Sequence, residues 1–192
     1  MPIWSNLVDH LGHLAAFGGR ESRGYFWPYA GGVIGLSFIG MWGVMLRPMA
    51  ETMRRMQEFA AAHPDKARIE SGPGHYRISV EGHHPELFAG FEEMMIGMVI
   101  VVAVAVVLLT AAVARRLHDR GRTGFWGLAP LPFFAFGSVM MPRVMTSATP
   151  DMGLFFLMFF NNAIYIGSLV LLVVILAGPG SPAPNKFGNP AV

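Results

Sequence analysis

Apolar residues along this chain gather into four long runs separated by polar stretches. A helix crosses a bilayer core when about 20 consecutive residues are apolar. The first run, 27–46, meets that length and is ended by Arg47-Pro48; within it, Gly31 and Gly35 form a small-xxx-small pair suited to close helix contact. The second, 94–114, carries no charge, and its helix is expected to begin earlier, near Pro85, with Glu86, Glu92 and Glu93 toward the positive end of the helix dipole. The third, 125–141, is short and interrupted by Pro130 and Pro132, so a kinked span is expected. The fourth, 152–177, is stopped by Gly178-Pro179-Gly180.

Ahead of the first run, Ile3, Trp4, Leu7, Val8, Leu11, Leu14 and Ala15 follow helical spacing, with Asp9, His10 and His13 on the other side. Two readings fit: an amphipathic helix over 1–19 lying in the membrane interface with Trp4 at headgroup depth, or a helix packed against the bundle. The segment is not read as a signal peptide, because the first arginine is Arg20 and no basic leader region precedes it. Between the first two runs, Met49, Met53, Met56 and Ala60 share a helix face, supported by the i,i+4 pairs Glu51–Arg55 and Arg54–Glu58. Ser71-Gly72-Pro73-Gly74 is a turn signal, and Tyr76, Ile78 and Val80 alternate with His75, Arg77, Ser79 and Glu81 beyond it. A two-stranded hairpin is marginal alone, so it is expected to pack on the small helix or on a neighbouring subunit. The pattern therefore predicts an all-α membrane protein: a four-helix transmembrane bundle over 20–192, with an N-terminal interfacial helix and a small helix/hairpin extramembrane loop at 47–93.

Composition agrees. Hydrophobic residues make up 53% of the 192 positions and charged residues only 14%, where a soluble domain carries roughly 25%. A net charge of +2 gives no reason to expect a nucleic-acid partner, and the absence of cysteine excludes disulfides and thiolate metal sites. Four spans put both termini on one side. Seven Lys and Arg fall on that side and seven on the other, so the positive-inside rule ties on number. Density decides: four arginines crowd the short loop after the second run, whereas the loop holding Arg47, Arg54 and Arg55 is long and translocates more readily. Both termini are placed in the cytoplasm.

Candidate chemistry begins at Arg115-Arg116-Leu117-His118-Asp119-Arg120-Gly121-Arg122-Thr123-Gly124-Phe125-Trp126. Arg115 and Arg116 suit a helix C-terminus, Gly121 and Gly124 permit tight turns, and Thr123 is placed to cap the third helix. Free N–H groups beside guanidinium forks make a cradle for phosphate or carboxylate; the alternative is a topology signal with internal salt bridges such as Asp119 to Arg116 or Arg115. A second cluster, Gly19-Arg20-Glu21-Ser22-Arg23-Gly24-Tyr25-Phe26-Trp27, opens the first run, and a third, Pro184-Asn185-Lys186-Phe187-Gly188-Asn189-Pro190, follows the last.

Taken in order, these three clusters resemble the YhaH-like bacterial inner-membrane proteins, a family described as domain of unknown function 805. The resemblance covers roughly residues 17–47 and 94–190. It implies a compact bundle of about four spans in a bacterial inner membrane, and it names no reaction. Gly24 stands where many members have an acidic or polar residue, Phe125 where tryptophan is common, and the loop between the first two spans is longer than usual.

With four spans the three motifs share one face of the membrane, so Arg20, Ser22, Arg23, Arg115, Arg116, His118, Asp119, Arg120, Arg122, Thr123, Asn185 and Asn189 are expected to meet in one polar site, either a network locking helix ends or an anion and lipid site. Asn161 and Asn162 lie near the middle of the fourth run and serve either as packing glue, beside the small pair Ala163 and Gly167, or as the lining of a solute path. His63, His75, His83 and His84, with Glu86 close by, lack tight metal-ligand spacing, and neither a phosphate-binding nor a dinucleotide motif is present. No cofactor or catalytic constellation is expected. The reading is a non-enzymatic membrane protein that holds an anionic lipid headgroup or a partner protein through Arg116, Arg120 and Arg122, self-associates, and has a second docking surface in loop 47–93; the alternative is a subunit of a small-solute channel or transporter.

Overall fold

The computed structural model describes residues 3–82, 84–146 and 151–191. Among the described residues, five α-helices and one hairpin follow in the order α1 (Ile3–Gly12), α2 (Arg23–Ala62), β1 (Ala67–Gly72), β2 (His75–Val80), α3 (Phe91–Asp119), α4 (Leu131–Thr146) and α5 (Met152–Ala177). Short 3-10 turns at Pro85–Phe88 and Gly124–Leu128 precede α3 and α4. Four helical stretches are long and apolar enough to cross a membrane. The chain is a multi-pass, all-α membrane protein.

α2 does not stop at Arg47-Pro48. It continues unbroken to Ala62, so the first span and the small loop helix are one 40-residue rod. Pro48 removes one backbone donor, but Arg47–Glu51 at 3.0 Å, Arg55–Glu51 at 3.9 Å and Arg54–Glu58 at 2.7 Å tie successive turns together beyond it. At roughly 1.5 Å per residue the rod is about 60 Å long, twice the hydrocarbon thickness. The hairpin packs on this extension, where Gln57 meets the Tyr76 hydroxyl at 3.4 Å. Its register pairs Ala67 with Val80 and Gly72 with His75. Gly74, at φ 80°, supplies the left-handed residue that a Pro-Gly turn needs.

The second helix begins later than Pro85. Gly90 takes φ 103° and separates the 3-10 turn from α3, leaving Glu92 and Glu93 in the first helical turn. The third span is broken as its prolines require: a 3-10 turn, then α4 from Leu131.

α2 packs on α3, and α4 on α5. Gly31 and Gly35 take no part, since nothing lies within 4 Å of a Cβ built on either. The close approach falls instead at Gly97, whose Cβ would sit 2.6 Å from Val44, and at Gly40, which faces Val101. Phe26, Tyr29, Ala30 and Val33 of α2, Ala112 and Leu117 of α3, and Ile175 and Leu176 of α5 form the buried core. These are the first turns of α2 and the last turns of α3 and α5, so the core sits at one end of the bundle. Farther along, Ile39, Val107 and Phe160 are exposed, as befits helices solvated by lipid.

Candidate functional site

The arginine motif is mostly helix. α3 runs through Asp119 and closes with Gly121 in the left-handed region at φ 71°. Gly121 N–H bonds to His118 O at 2.9 Å and Arg122 N–H to Leu117 O at 2.9 Å, the paired bonds of a Schellman ending. The N–H groups of Gly121 and Arg122 are therefore spent on capping the helix. Thr123 precedes the 3-10 turn rather than α4, and its side chain makes no capping bond.

Two buried carboxylates organise the cations around this helix end. Asp119 is held between two guanidinium groups: Arg20 donates to Oδ1 from Nε at 3.0 Å and from Nη2 at 2.9 Å, and Arg116 donates to Oδ2. Glu21 is held likewise: Arg115 Nε donates to Oε2 at 2.8 Å, and His10 Nε2 faces Oε1 at 2.9 Å. The other ring nitrogen of His10 faces Asn6 O at 2.8 Å. Each ring nitrogen thus faces an oxygen of a neighbouring group. The ring is sandwiched between Tyr25 and Tyr29, with centroids at 4.8 and 4.0 Å.

The remaining donors grip the chain after α5. Arg116, fully buried, donates to Leu176 O at 2.9 Å and also to Gly178 O and Glu21 O. Arg20 donates to Ser181 O, Ala183 O and Gly188 O, and Arg120 to Pro179 O. Ser181 N–H returns a bond to Asp119 O at 2.8 Å. Gly180 lies so close to the Asp119 carboxylate that a Cβ would overlap it. Asn185 donates to His118 O at 3.0 Å, and the His118 ring stacks on Phe187 at 3.8 Å while its Nδ1 meets Gly19 O at 3.1 Å.

The structure thus brings Arg20, Arg115, Arg116, His118, Asp119, Arg120 and Asn185 into one network that joins three helix ends. Five of the residues expected there lie outside it. Ser22 occupies the position before α2, but its side chain makes no capping bond. Asn189 and Thr123 are exposed. Arg23 is exposed on the first turn of α2, and Arg122 is exposed with its guanidinium 5.2 Å from the Trp126 ring centre. Arg116, expected to touch a ligand, is instead the most enclosed cation of the cluster.

Two network members escaped sequence reasoning. Glu21 stands inside the second cluster with no role of its own assigned, and His10 was grouped with Asp9 and His13 on the polar side of α1. α1 buries a mixed side: Asn6 and His10 are buried and Leu7 is half-buried against the core, while Asp9 and His13 are exposed along with Val8 and Leu11. The Trp4 side chain falls outside the described residues. Charge balance offered the signal for Glu21, since Asp9, Glu21 and Asp119 are the only carboxylates available to seven cations at this end. An open cleft of about 610 Å³ adjoins the network between α1 and the start of α2, with Asp9, His13, Ser22 and Tyr25 in its wall.

Asn161 and Asn162 part company. Asn161 donates to Phe133 O on α4 at 3.0 Å, while Asn162 is exposed on the outer side of α5. Among the described residues no three His, Asp or Glu side chains converge as metal ligands; His83 lies outside the described residues.

Residues 14–189 match the family model described as protein of unknown function (DUF805), and the chain belongs to that family. No curated protein and no solved structure matches it.

Proposed function

We propose that this chain is a non-enzymatic protein of a bacterial inner membrane, with both termini cytoplasmic, whose motif end binds anionic phospholipid headgroups through Arg23 and Arg122. The observation that carries this reading is the division of labour among the arginines. Arg20, Arg115 and Arg116 are neutralised inside the protein. Arg23 and Arg122 are exposed and have no carboxylate partner among the described residues. Arg122 rests on Trp126, and exposed Phe125 lies beside it, the aromatic company of a headgroup-level cation. Arg23 stands at the positive end of a helix dipole, so nothing local offsets its charge. Seven cations against three carboxylates give this end a positive field, and each basic residue near an anionic leaflet contributes about 1 kcal/mol.

Native mass spectrometry from mild detergent tests the proposal. The wild-type chain is expected to retain phosphatidylglycerol or cardiolipin in preference to phosphatidylcholine. Arg23→Ala with Arg122→Ala should lower that retention roughly thirtyfold without lowering the unfolding temperature. Equal retention by the double variant would overturn the reading.

A further inference from the structure

α5 carries two parallel heptad rows, and among the described residues only one of them has a partner. The inner row is Leu154, Met158, Asn161, Tyr165, Ser168, Leu172 and Ile175, half-buried or buried along its length. Its asparagine shows what an amide does at such a position: Asn161 finds Phe133 O on α4, and Gly137 leaves room for it, with a built Cβ 3.3 Å from the amide nitrogen. The adjacent row is Phe155, Phe159, Asn162, Ile166, Leu169 and Val173, spaced 4-3-4-3-4. Phe155, Phe159, Ile166 and Val173 are each 50% exposed or more, and Asn162 is exposed with no hydrogen-bond partner among the described residues.

Depth makes Asn162 unusual. At 1.5 Å per residue it lies roughly 15 Å from one end of α5 and roughly 22 Å from the other, within the hydrocarbon layer. Water is absent there, and an unpaired carboxamide is costly. A 4-3 apolar row with one asparagine is also the seam of a parallel two-helix coil, where the asparagine sets register and partner number. Copies of one chain enter the membrane in one orientation. A second α5 running parallel therefore brings Asn162 opposite Asn162 at equal depth, each amide N–H facing the other's carbonyl. No other partner is guaranteed to present a polar group at that level.

We infer that two copies of the chain associate in parallel along this outer row of α5, with the two Asn162 carboxamides hydrogen-bonded to each other. The contact is independent of lipid binding at Arg23 and Arg122, so either proposal stands if the other fails.

The natural absence of cysteine permits a clean test. Ile166→Cys lies on the seam, and Ile164→Cys lies on the opposite exposed side of the helix. In phospholipid vesicles under mild oxidation, full-length Ile166→Cys should form covalent dimers and Ile164→Cys should not. Adding Asn162→Leu should lower the Ile166→Cys dimer fraction roughly three- to tenfold. No dimer from Ile166→Cys, equal dimer from both positions, or indifference to Asn162→Leu would each overturn the inference.

Discussion

At Arg116 every guanidinium nitrogen has an acceptor inside the protein: a carboxylate, the last carbonyls of α5 and the backbone ahead of α2. Removing it strands Asp119 on one side and leaves three carbonyls without donors. Breaking a buried ion pair by deleting one partner costs about 3–5 kcal/mol. Arg116→Ala should therefore lower unfolding stability in detergent by about 3 kcal/mol or more, whereas Arg122→Ala, exposed and without a protein acceptor, should stay within about 0.5 kcal/mol of wild type. A denaturant titration of the two variants checks this, and equal losses would mean that the network does not carry the bundle end. The contrast shows why residue roles were only half legible. The sequence marks both arginines as cations beside a membrane span. Which one is enclosed depends on where Gly178, Pro179 and Gly180 bring the chain back, and no local pattern records that return. His10 was misassigned for a related reason. Apolar spacing does not say which polar residue of α1 becomes enclosed: Asp9 and His13 stay exposed, whereas His10 is buried because the chain brings Glu21 opposite it.

Among the elements, the four spans were legible as apolar runs long enough to cross a bilayer, and the hairpin through its period of two. The boundaries were not. Arg47-Pro48 reads as a stop, yet α2 continues, because a proline weakens one turn while charge pairs at i,i+4 hold the next ones. The opposite happened before α3, where a favourable Pro85 yields only a 3-10 turn because Gly90 departs from helical φ. Among its described side chains, α1 buries no apolar residue fully. Its attachment runs through Asn6 to Tyr25 O, His10 to Glu21, and Leu7 against the core. A hydrogen bond to a charged group is worth about 1.5–3 kcal/mol. In His10→Ala, amide hydrogen exchange in α1 should accelerate roughly tenfold or more, with α3 and α5 unchanged. A uniform rise along all helices would mean that α1 is not a separable unit.

For the molecule as a whole, the core and the polar network share one end, and the rest of each span depends on lipid and on pairwise helix contact. Carboxylates are distributed just as unevenly: three lie at the network end and nine at the hairpin end, against seven cations at each. A cytoplasmic leaflet rich in anionic lipid attracts the first end and not the second. Orientation and lipid binding are thus linked, and the placement of the termini tests both. Asn189 is exposed at the network end and Glu70 is exposed on β1. With no native cysteine in the background, a membrane-impermeant maleimide applied to intact spheroplasts should label Glu70→Cys and leave Asn189→Cys unlabelled until the membrane is opened. The reverse pattern would put the network end on the outer side, where the cytoplasmic surface potential does not reach it, and the case for Arg23 and Arg122 as headgroup ligands would lose its driving force.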